Sequence, residues 1–356
     1  MASSLPLRSL RPTLVRWRVS SRRPASTSAA DATKQMLDAF EGKGITKTQV
    51  LDGPQLQKLS LTLNRPQLHR SLDVSSQAPP AGTPLPPGYH LVYFSPASVE
   101  SELGTDGTDR TFNAPAPFSR RMWAGGRMYW PKPRLCKLKV GDEVEERTRL
   151  VGATPKKARD GSEMVLVDVE KEFWVDNGLA LVDQREGSSS QEGAIDGSFY
   201  TFLHKRCAPK RRRFVYPLET TQIYLELKLR RNDKPAEYPE RKLSWSPVAL
   251  FRFSALTFNA HLIHYNETAT RETEGHPNVV VHGPLNLINI LDYWRDMYSG
   301  EKQLREISYR AMSPLYAGDE YLIRTDYSRD FDDEQTWDIV VEKEGVTCMK
   351  AEIVAA

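Results

Sequence analysis

Alternating apolar and polar positions dominate the C-terminal part of the chain. Four segments with a period of two follow one another at residues 304–312, 319–327, 336–343 and 346–354, which predicts half-buried β-strands. The segment before them, residues 284–298, is apolar on several faces and predicts a helix that is buried nearly all round. This order favours an antiparallel sheet wrapped around one central helix.

Two short motifs occur twice in the same order. A Gly-Asp-Glu turn at residues 141–143 precedes Val-Glu-Lys-Glu at 169–172, and the same pair recurs at 318–320 and 341–344. Chance matching of short peptides is the alternative, but the preserved order makes it a poor one. We therefore predict an internal duplication, with an N-terminal half over residues 89–185 and a C-terminal half over residues 240–356.

The other segments precede or connect these halves. Residues 31–75 predict a helical N-terminal segment, in which one helix ends near Gly42 and another has Pro54 in its first turn. Residues 76–88 form a proline-rich linker, and residues 89–94 have the apolar content of a strand. Residues 186–239 predict a linker or overhang, and its basic run at 205–213 is a solvated stretch or a docking site for an acidic partner.

Charge changes the picture at the N-terminus. The formal net charge is +3, but residues 1–30 hold six arginines and no acid, and the remaining residues carry 43 basic against 46 acidic side chains. This composition predicts a mitochondrial transit peptide over residues 1–30 and location in the mitochondrial matrix; a disordered basic tail is the alternative. A slightly acidic body predicts no nucleic-acid partner, and no apolar run has the length of a membrane span.

Histidines concentrate the candidate chemistry. Four of the seven are His261, His264, His276 and His282, and imidazole transfers protons near neutral pH. Gly283 and Pro284 begin the predicted helix, whose first N–H groups lack partners. A base beside backbone donors suits removal of a proton next to a carbonyl.

A metal site is the alternative for these histidines. His261, His264 and His282 could form one, but no carboxylate or cysteine joins them at ligand spacing. Three widely spaced cysteines, Cys136, Cys207 and Cys348, also argue against a disulfide framework or a zinc site. We therefore predict no metal.

The peptides TFNAHLIHYN at residues 257–266 and VVHGPL at 280–285, with the duplication, resemble the MaoC-like hydratase/dehydratase family. More closely, the chain resembles the mitochondrial type 2 hydroxyacyl-thioester dehydratases and the mesaconyl-CoA hydratases, also at RRMWAGG over residues 120–126. The resemblance implies an α+β double hot-dog fold: two antiparallel sheets, each wrapping a central helix, the N-terminal one degenerate.

The resemblance also implies roles for single residues. The wider family's motif Ser-Gly-Asp-x-Asn-Pro-x-His falls on residues 257–264, so its catalytic histidine is His264, its aspartate is replaced by Asn259 and its asparagine by His261. His264 would act as base and acid, while Asn259, which cannot take a proton, would orient the hydroxyl or water. The family's oxyanion glycine falls on Gly283.

Three further residues keep two interpretations. His282 binds substrate or only ties down the helix start. Arg310 binds a phosphate of the carrier or coenzyme arm, or is an outer charge of the sheet. His261 takes part in the chemistry of the site or, as we favour, has only a structural role.

The predicted function is that of a hydro-lyase, a 3-hydroxyacyl-thioester dehydratase of mitochondrial fatty acid synthesis. Its substrate would be an acyl thioester of acyl carrier protein or coenzyme A, with no cofactor and a possible homodimer. The basic run at 205–213 could then dock the carrier protein. One alternative is a mesaconyl-CoA-type acyl-CoA hydratase. Another is a non-catalytic acyl-thioester-binding hot-dog protein. A thioesterase would need an acid early in the helix, and residues 285–289 contain none.

The leader gives a first testable prediction. We expect residues up to about Ser28 to be removed after import, because the arginine-rich, acid-free stretch ends ahead of Asp31. Mass spectrometry of the protein isolated from its native cells measures the N-terminus directly. Recovery of an intact Met1 or Ala2 terminus would show that this stretch is not a cleaved leader.

Overall fold

The structure, a computed structural model, describes residues 27–118, 120–130, 137–157, 161–175, 238–331 and 333–356, and the backbone of 196–205. The elements in chain order are α1 (Ala29–Phe40), β1 (Gly44–Val50), α2 (Gly53–Thr62), β2 (Gln67–His69), β3 (Leu72–Asp73), β4 (Arg120–Tyr129), β5 (Glu143–Lys157), β6 (Glu163–Val175), β7 (Asp196–Lys205), β8 (Glu240–Leu243), α3 (Pro247–Leu256), α4 (Glu267–Glu272), α5 (Gly283–Met297), β9 (Leu304–Ala311), β10 (Tyr321–Phe331), β11 (Glu334–Lys343) and β12 (Val346–Ala355). Short 3-10 turns lie at Tyr89–Val92, Glu100–Glu102 and Leu262–His264.

A single antiparallel sheet carries the duplication. Its ten described strands lie in the order β1-β5-β6-β7-β4-β9-β12-β11-β10-β8, and β2 pairs separately with β3. The order is the same read from either end: β5, β6, β7 and β4 correspond to β10, β11, β12 and β9. The halves join where β4 pairs with β9, with Gly126 opposite Tyr309 and Met128 opposite Ile307. This topology confirms the α+β double hot-dog prediction.

Helix α5 is the central helix of the C-terminal half. Its residues from Leu285 to Trp294 are all buried, as the apolar pattern on several faces predicts. They pack in one core with Ile307 of β9, Ile339 of β11 and Ile353 of β12, each fully buried. Burial of an apolar helix on all sides is the main stabilisation of this half.

The N-terminal half has no equivalent helix among the described residues. The corresponding segment, ahead of β4, contains only the two short turns Tyr89–Val92 and Glu100–Glu102. Instead, α1 packs on β5 and β6, and its Ala32 and Met36 share a small core with Val165 and Val167. The N-terminal half is therefore degenerate, as predicted, and a loop lies where its central helix would be.

The predicted strand at residues 89–94 is wrong. Gly88 has a left-handed backbone, with φ +83°, and turns the chain into the 3-10 turn that follows. Tyr89, His90 and Val92 are all buried, so this apolar run lies across the core rather than alternating along a sheet.

The N-terminal half also extends beyond both of its predicted boundaries. Strand β1, within the segment predicted as helical, pairs with β5, and β7, within the predicted linker, pairs with both β6 and β4. The proline-rich stretch is attached as well: Gly82 N donates to Val140 O and Leu85 N to Leu138 O, both at 2.8 Å. Strand β7 was not predicted because Ser/Gly-rich and basic sequences flank it.

Some predictions fall on residues outside the described ranges. These are residues 1–26 of the leader, residues 206–213 of the basic run, and Cys136 and Cys207. Cys348 is buried and free. No helix in the described ranges is both long and apolar enough to cross a membrane.

A buried ion cluster fixes the C-terminal end of α5. Asp292 accepts a hydrogen bond from Tyr89 Oη at 2.9 Å and lies 2.8 Å from Arg295 Nη2 and 3.5 Å from Arg65 Nε. Burial raises the pKa of Asp292, and the two guanidinium groups oppose that effect. Arg65 and Tyr89 belong to the N-terminal segments, so the cluster ties them to the central helix.

This cluster gives a second prediction. Asp292→Ala should lower the free energy of unfolding by about 3–5 kcal/mol, because the largely buried guanidinium of Arg295 loses its nearest carboxylate and Tyr89 Oη loses its acceptor. Asp326→Ala is the matched control: Asp326 also pairs with an arginine, at 2.6 Å, but its side chain is 55% exposed. That exposed pair should contribute roughly 0–1 kcal/mol. Urea unfolding measures both variants, and equal losses would contradict the stabilising role of the cluster.

Candidate active site

A cleft of about 2290 Å³ opens where the two halves meet. The N-terminal half contributes Trp123 of β4, the loop around residues 103–112 and apolar side chains of β6. The C-terminal half contributes residues 257–265, the start of α5 and the end of β9. All five predicted site residues, Asn259, His264, His282, Gly283 and Arg310, line this one cleft.

The segment that carries the histidines follows the C-terminus of α3. Phe258 has a left-handed backbone, with φ +49°, and reverses the chain so that Asn259 N donates to Ser254 O at 2.9 Å. Asn259 Oδ1 accepts from His261 N at 3.0 Å. The amide of Asn259 thus holds the local turn with its oxygen and keeps its Nδ2 for other partners.

His264 is buried and held in one tautomer. Its Nδ1 lies 2.8 Å from Val280 O, and because a carbonyl only accepts, Nδ1 carries the proton and Nε2 is unprotonated. Val280 N also donates to Ile263 O at 2.8 Å, so the two segments are bonded in both directions. Burial, together with neighbouring His261, lowers the pKa of His264 to about 3. The ring is neutral at physiological pH.

His282 supports the ring of His264. The two rings stack with centroids 3.7 Å apart and planes 17° apart, and His282 Nε2 lies 2.9 Å from Ser254 Oγ. Burial holds the pKa of His282 well below its usual range. Two stacked imidazoles at this distance avoid repulsion only when at least one is neutral. Nδ1 of His282 is buried and has no hydrogen-bond partner within the described ranges.

Gly283 begins α5 directly against an aromatic ring. No side chain of the described residues caps this helix start, whose N-cap is His282 and whose first turn contains Pro284. A Cβ on Gly283 would lie 2.4 Å from Trp123 Cε3, so only glycine fits beneath the indole. The uncapped N–H groups, at the positive end of the helix dipole, therefore face the cleft.

Arg310 lies at the rim of the cleft. It is exposed in β9 and paired with Gly125 of β4 across the joint between the halves. His261 and His264 meet edge to face at 5.5 Å, while His264 and His282 stack. In the described ranges, no three His, Cys, Asp or Glu side chains are grouped to hold a metal ion.

Sequence reasoning missed several residues of this site. Trp123, Ser254 and Val280 fix the glycine and the two histidines through packing and hydrogen bonds. Asp106 Oδ2, from the N-terminal half, lies 3.5 Å from His261 Nε2. The only sequence signal for Trp123 is the resemblance of residues 120–126, RRMWAGG, to the family. No sequence signal connects Asp106 with His261.

Solved structures share this fold over most of the chain. HtdX of Mycobacterium tuberculosis superposes with a TM-score of 0.54 and 16% identity, over 87% of this chain and 99% of that one. A MaoC-like dehydratase from Phytophthora capsici gives 0.53 and 10%, over 88% and 95%. At these identities the similarity establishes the fold, a MaoC-like double hot-dog.

Sequence comparison identifies the family. The pattern of hydroxyacyl-thioester dehydratase type 2 matches residues 88–198 and 203–317, more than half of the chain, so the protein belongs to that family. It is 29% identical to the mitochondrial hydroxyacyl-thioester dehydratase type 2 of Schizosaccharomyces pombe, over 66% of this chain and 75% of the relative. It is 30% identical to mesaconyl-C(4)-CoA hydratase of Chloroflexus aurantiacus, over 69% and 76%. The predicted resemblance and the prediction of a hydro-lyase are confirmed.

The contact between Gly283 and Trp123 gives a third prediction. Gly283→Ala should lower the free energy of unfolding by about 1–3 kcal/mol, because the new methyl group overlaps the indole. Trp123→Ala opens that space, so Gly283→Ala added in this background should cost clearly less. Chemical unfolding of the two single variants and the double variant measures the coupling. Additive losses would contradict direct packing of the indole on the glycine.

Proposed function

We propose that the protein catalyses the reversible elimination of water from a 3-hydroxyacyl thioester, giving a trans-2-enoyl thioester. The observation that carries the proposal is the neutral imidazole of His264, fixed by Val280 O beside the uncapped start of α5. A base and backbone donors on one side of a cleft are what removal of a proton next to a thioester carbonyl requires.

The first part of the reaction is removal of the α-proton. Nε2 of His264 takes this proton, and the electron pair moves toward the thioester carbonyl. The N–H of Gly283, at the positive end of the α5 dipole, donates to the carbonyl oxygen as it becomes negative. One such donor contributes about 10²–10³ to the rate.

The second part is departure of the hydroxyl group. Burial lowers the pKa of His264 to about 3, which makes the ring a weak base and its protonated form a ready proton donor. Protonated His264 therefore readily gives the same proton to the 3-hydroxyl as the bond from Cβ to oxygen breaks. Water and the enoyl thioester leave, and His264 is neutral again.

Other predicted site residues bind and orient the substrate in this proposal. The Nδ2 of Asn259 donates to the hydroxyl or water, and His282 keeps the His264 ring in place by stacking on it. Arg310, exposed at the rim, binds a phosphate of the carrier or coenzyme arm. Leu166 and Val169 of β6, which line the N-terminal part of the cleft, support placement of the acyl chain there.

We place this reaction in fatty acid synthesis in the mitochondrial matrix. The arginine-rich, acid-free residues 1–30 support that location, and so does the S. pombe relative, whose name includes "mitochondrial". Acyl carrier protein is then the carrier of the acyl group. Formation of a homodimer stays a prediction.

A second candidate is hydration of a dicarboxylic acyl-CoA such as mesaconyl-CoA. The C. aurantiacus relative supports it, as does Arg121, a largely buried cation that lines the cleft and whose pKa burial lowers to about 10. The distal carboxylate would need such a cation. Side-by-side turnover of crotonyl-CoA, mesaconyl-CoA and a long-chain 3-hydroxyacyl carrier protein separates the candidates. A non-catalytic binding protein would convert none of them.

Substitution of His264 gives a fourth prediction. His264→Ala should lower turnover by about 10² or more, because general acid/base catalysis is lost, with little change in folding. Asn259→Ala should cost less, since an amide orients water without relaying its proton. Asn259→Asp should retain or raise activity, because a carboxylate oxygen also accepts from His261 N.

His69→Ala is the control for these variants. His69 also bonds to a carbonyl, with Nε2 2.9 Å from Pro84 O, but it lies outside the cleft, so its loss should leave turnover intact. Near-normal turnover of His264→Ala with a converted substrate would show that the proposed mechanism is wrong.

A further inference from the structure

A loop of the N-terminal half lies directly on the segment that carries the histidines. Asp106 O accepts a hydrogen bond from Leu262 N at 2.8 Å. Gly107 has φ +80°, and a Cβ there would lie 2.0 Å from Ala260 O. Backbone therefore packs on backbone, and a side chain at residue 107 would separate the two segments.

This backbone contact places one carboxylate oxygen of Asp106, Oδ2, beside the ring of His261. The other oxygen, Oδ1, accepts from Thr108 N at 3.1 Å and from Thr108 Oγ1 at 2.6 Å, which fixes the carboxylate. Oδ2 lies 3.5 Å from His261 Nε2, a separation that hydrogen bonds in unliganded sites often show before they tighten. Nδ1 of His261 has no hydrogen bond within the described part of the chain.

We propose that Asp106 is a positioning residue, which holds His261 as the Nε2–H tautomer so that Nδ1 accepts a hydrogen bond from the 3-hydroxyl or attacking water. This inference rests on the proposed dehydratase function. The carboxylate that the wider family's motif has at residue 259 is then supplied by the other half of the molecule. It acts through a histidine rather than directly on the substrate.

The protons balance with His264 as the only group that transfers one. In hydration, water donates one hydrogen bond to His261 Nδ1 without transfer and gives its other proton to His264 Nε2 as its oxygen attacks Cβ. His264 then delivers that proton to Cα. Elimination runs the same steps in reverse, and the Asp106 carboxylate offsets the positive charge that forms transiently on the neighbouring His264.

The charges around His261 fit an acceptor role. Burial lowers the pKa of His261 to about 4, Asp106 raises it, and Arg121 and His276 lower it further. The ring is therefore neutral near pH 7 and has one unprotonated nitrogen. The carboxylate decides which nitrogen that is, because it accepts only from an N–H.

The chain offers a matched pair of substitutions. Asp109 stands in the same loop and in the same kind of turn, with Oδ1 accepting from Thr111 N at 3.4 Å and Thr111 Oγ1 at 2.7 Å. Asp106→Asn and Asp109→Asn each remove one negative charge and keep the turn acceptor. Only Asp106→Asn places an amide N–H where His261 Nε2–H has to donate, which should force the ring into the Nδ1–H tautomer.

Two readouts test the proposal in the full-length protein. Nitrogen NMR of ¹⁵N-histidine-labelled protein should show His261 as Nε2–H in the wild type and in Asp109→Asn, and as Nδ1–H in Asp106→Asn. Turnover of the converted substrate should fall about tenfold or more in Asp106→Asn, mainly in kcat, as expected when an acid/base site has the wrong tautomer. Asp109→Asn, which removes a charge 4.0 Å from Arg121 rather than one beside His261, should lower kcat clearly less than Asp106→Asn.

A double variant separates positioning from a structural role. Asp106→Asn added to His261→Gln should cause no further loss of kcat, because the carboxylate acts only through that ring. Thermal unfolding of all variants checks that the fold persists. Additive losses, equal losses in Asp106→Asn and Asp109→Asn, or an Nδ1–H tautomer in the wild type would each overturn the proposal.

These outcomes are distinct from failure of the proposed function. Normal kcat in Asp106→Asn with an inactive His264→Ala variant overturns the role of Asp106 alone. If the wild type converts none of the three thioesters, the proposed function fails. The NMR tautomers of His261 in the wild type and Asp106→Asn still decide whether the carboxylate sets the ring.

Discussion

The hydrogen-bonded joint between β4 and β9 is the constraint on which the rest of the structure depends. It makes one sheet of two halves and satisfies the edges that each half would otherwise expose. It also sets Trp123 of β4 on Gly283 at the start of α5. The loop ahead of β4 reaches the histidine segment for the same reason. Neither half alone contains the cleft.

Helix α5 has different electrostatic surroundings at its two ends. Its C-terminal end is fixed by the charged cluster around Asp292. Its N-terminal end has no side-chain cap and faces neutral, buried imidazoles whose pKa values are lowered by burial. The charged side chains in contact with α5 thus lie at its C-terminal end, while its uncapped N-terminal end favours a negative charge that develops in the cleft.

The sequence predicted those parts of the molecule whose contacts are local or periodic. The alternation of β9 to β12 and the apolar faces of α5 depend on neighbours along the chain, and so they could be identified. Strand β7 could not, because a Ser/Gly-rich stretch and a basic run flank it. Residues 89–94 were wrongly predicted as a strand because an apolar run that is buried on one side of a turn has the composition of a strand. The contact of Asp106 with His261 joins distant parts of the sequence and follows only from the pairing of the two halves.

The loop that stands in the place of a central helix in the N-terminal half also bears on how such a protein can evolve. In a dimer of identical subunits, every substitution is made twice, once where it helps and once where it harms. Joining both copies in one chain removes that coupling. In this chain the C-terminal half has the central helix α5, and the described part of the N-terminal half has only short turns in the corresponding place. Specialisation of the two copies required their sequences to become independent, while their shared sheet kept them together.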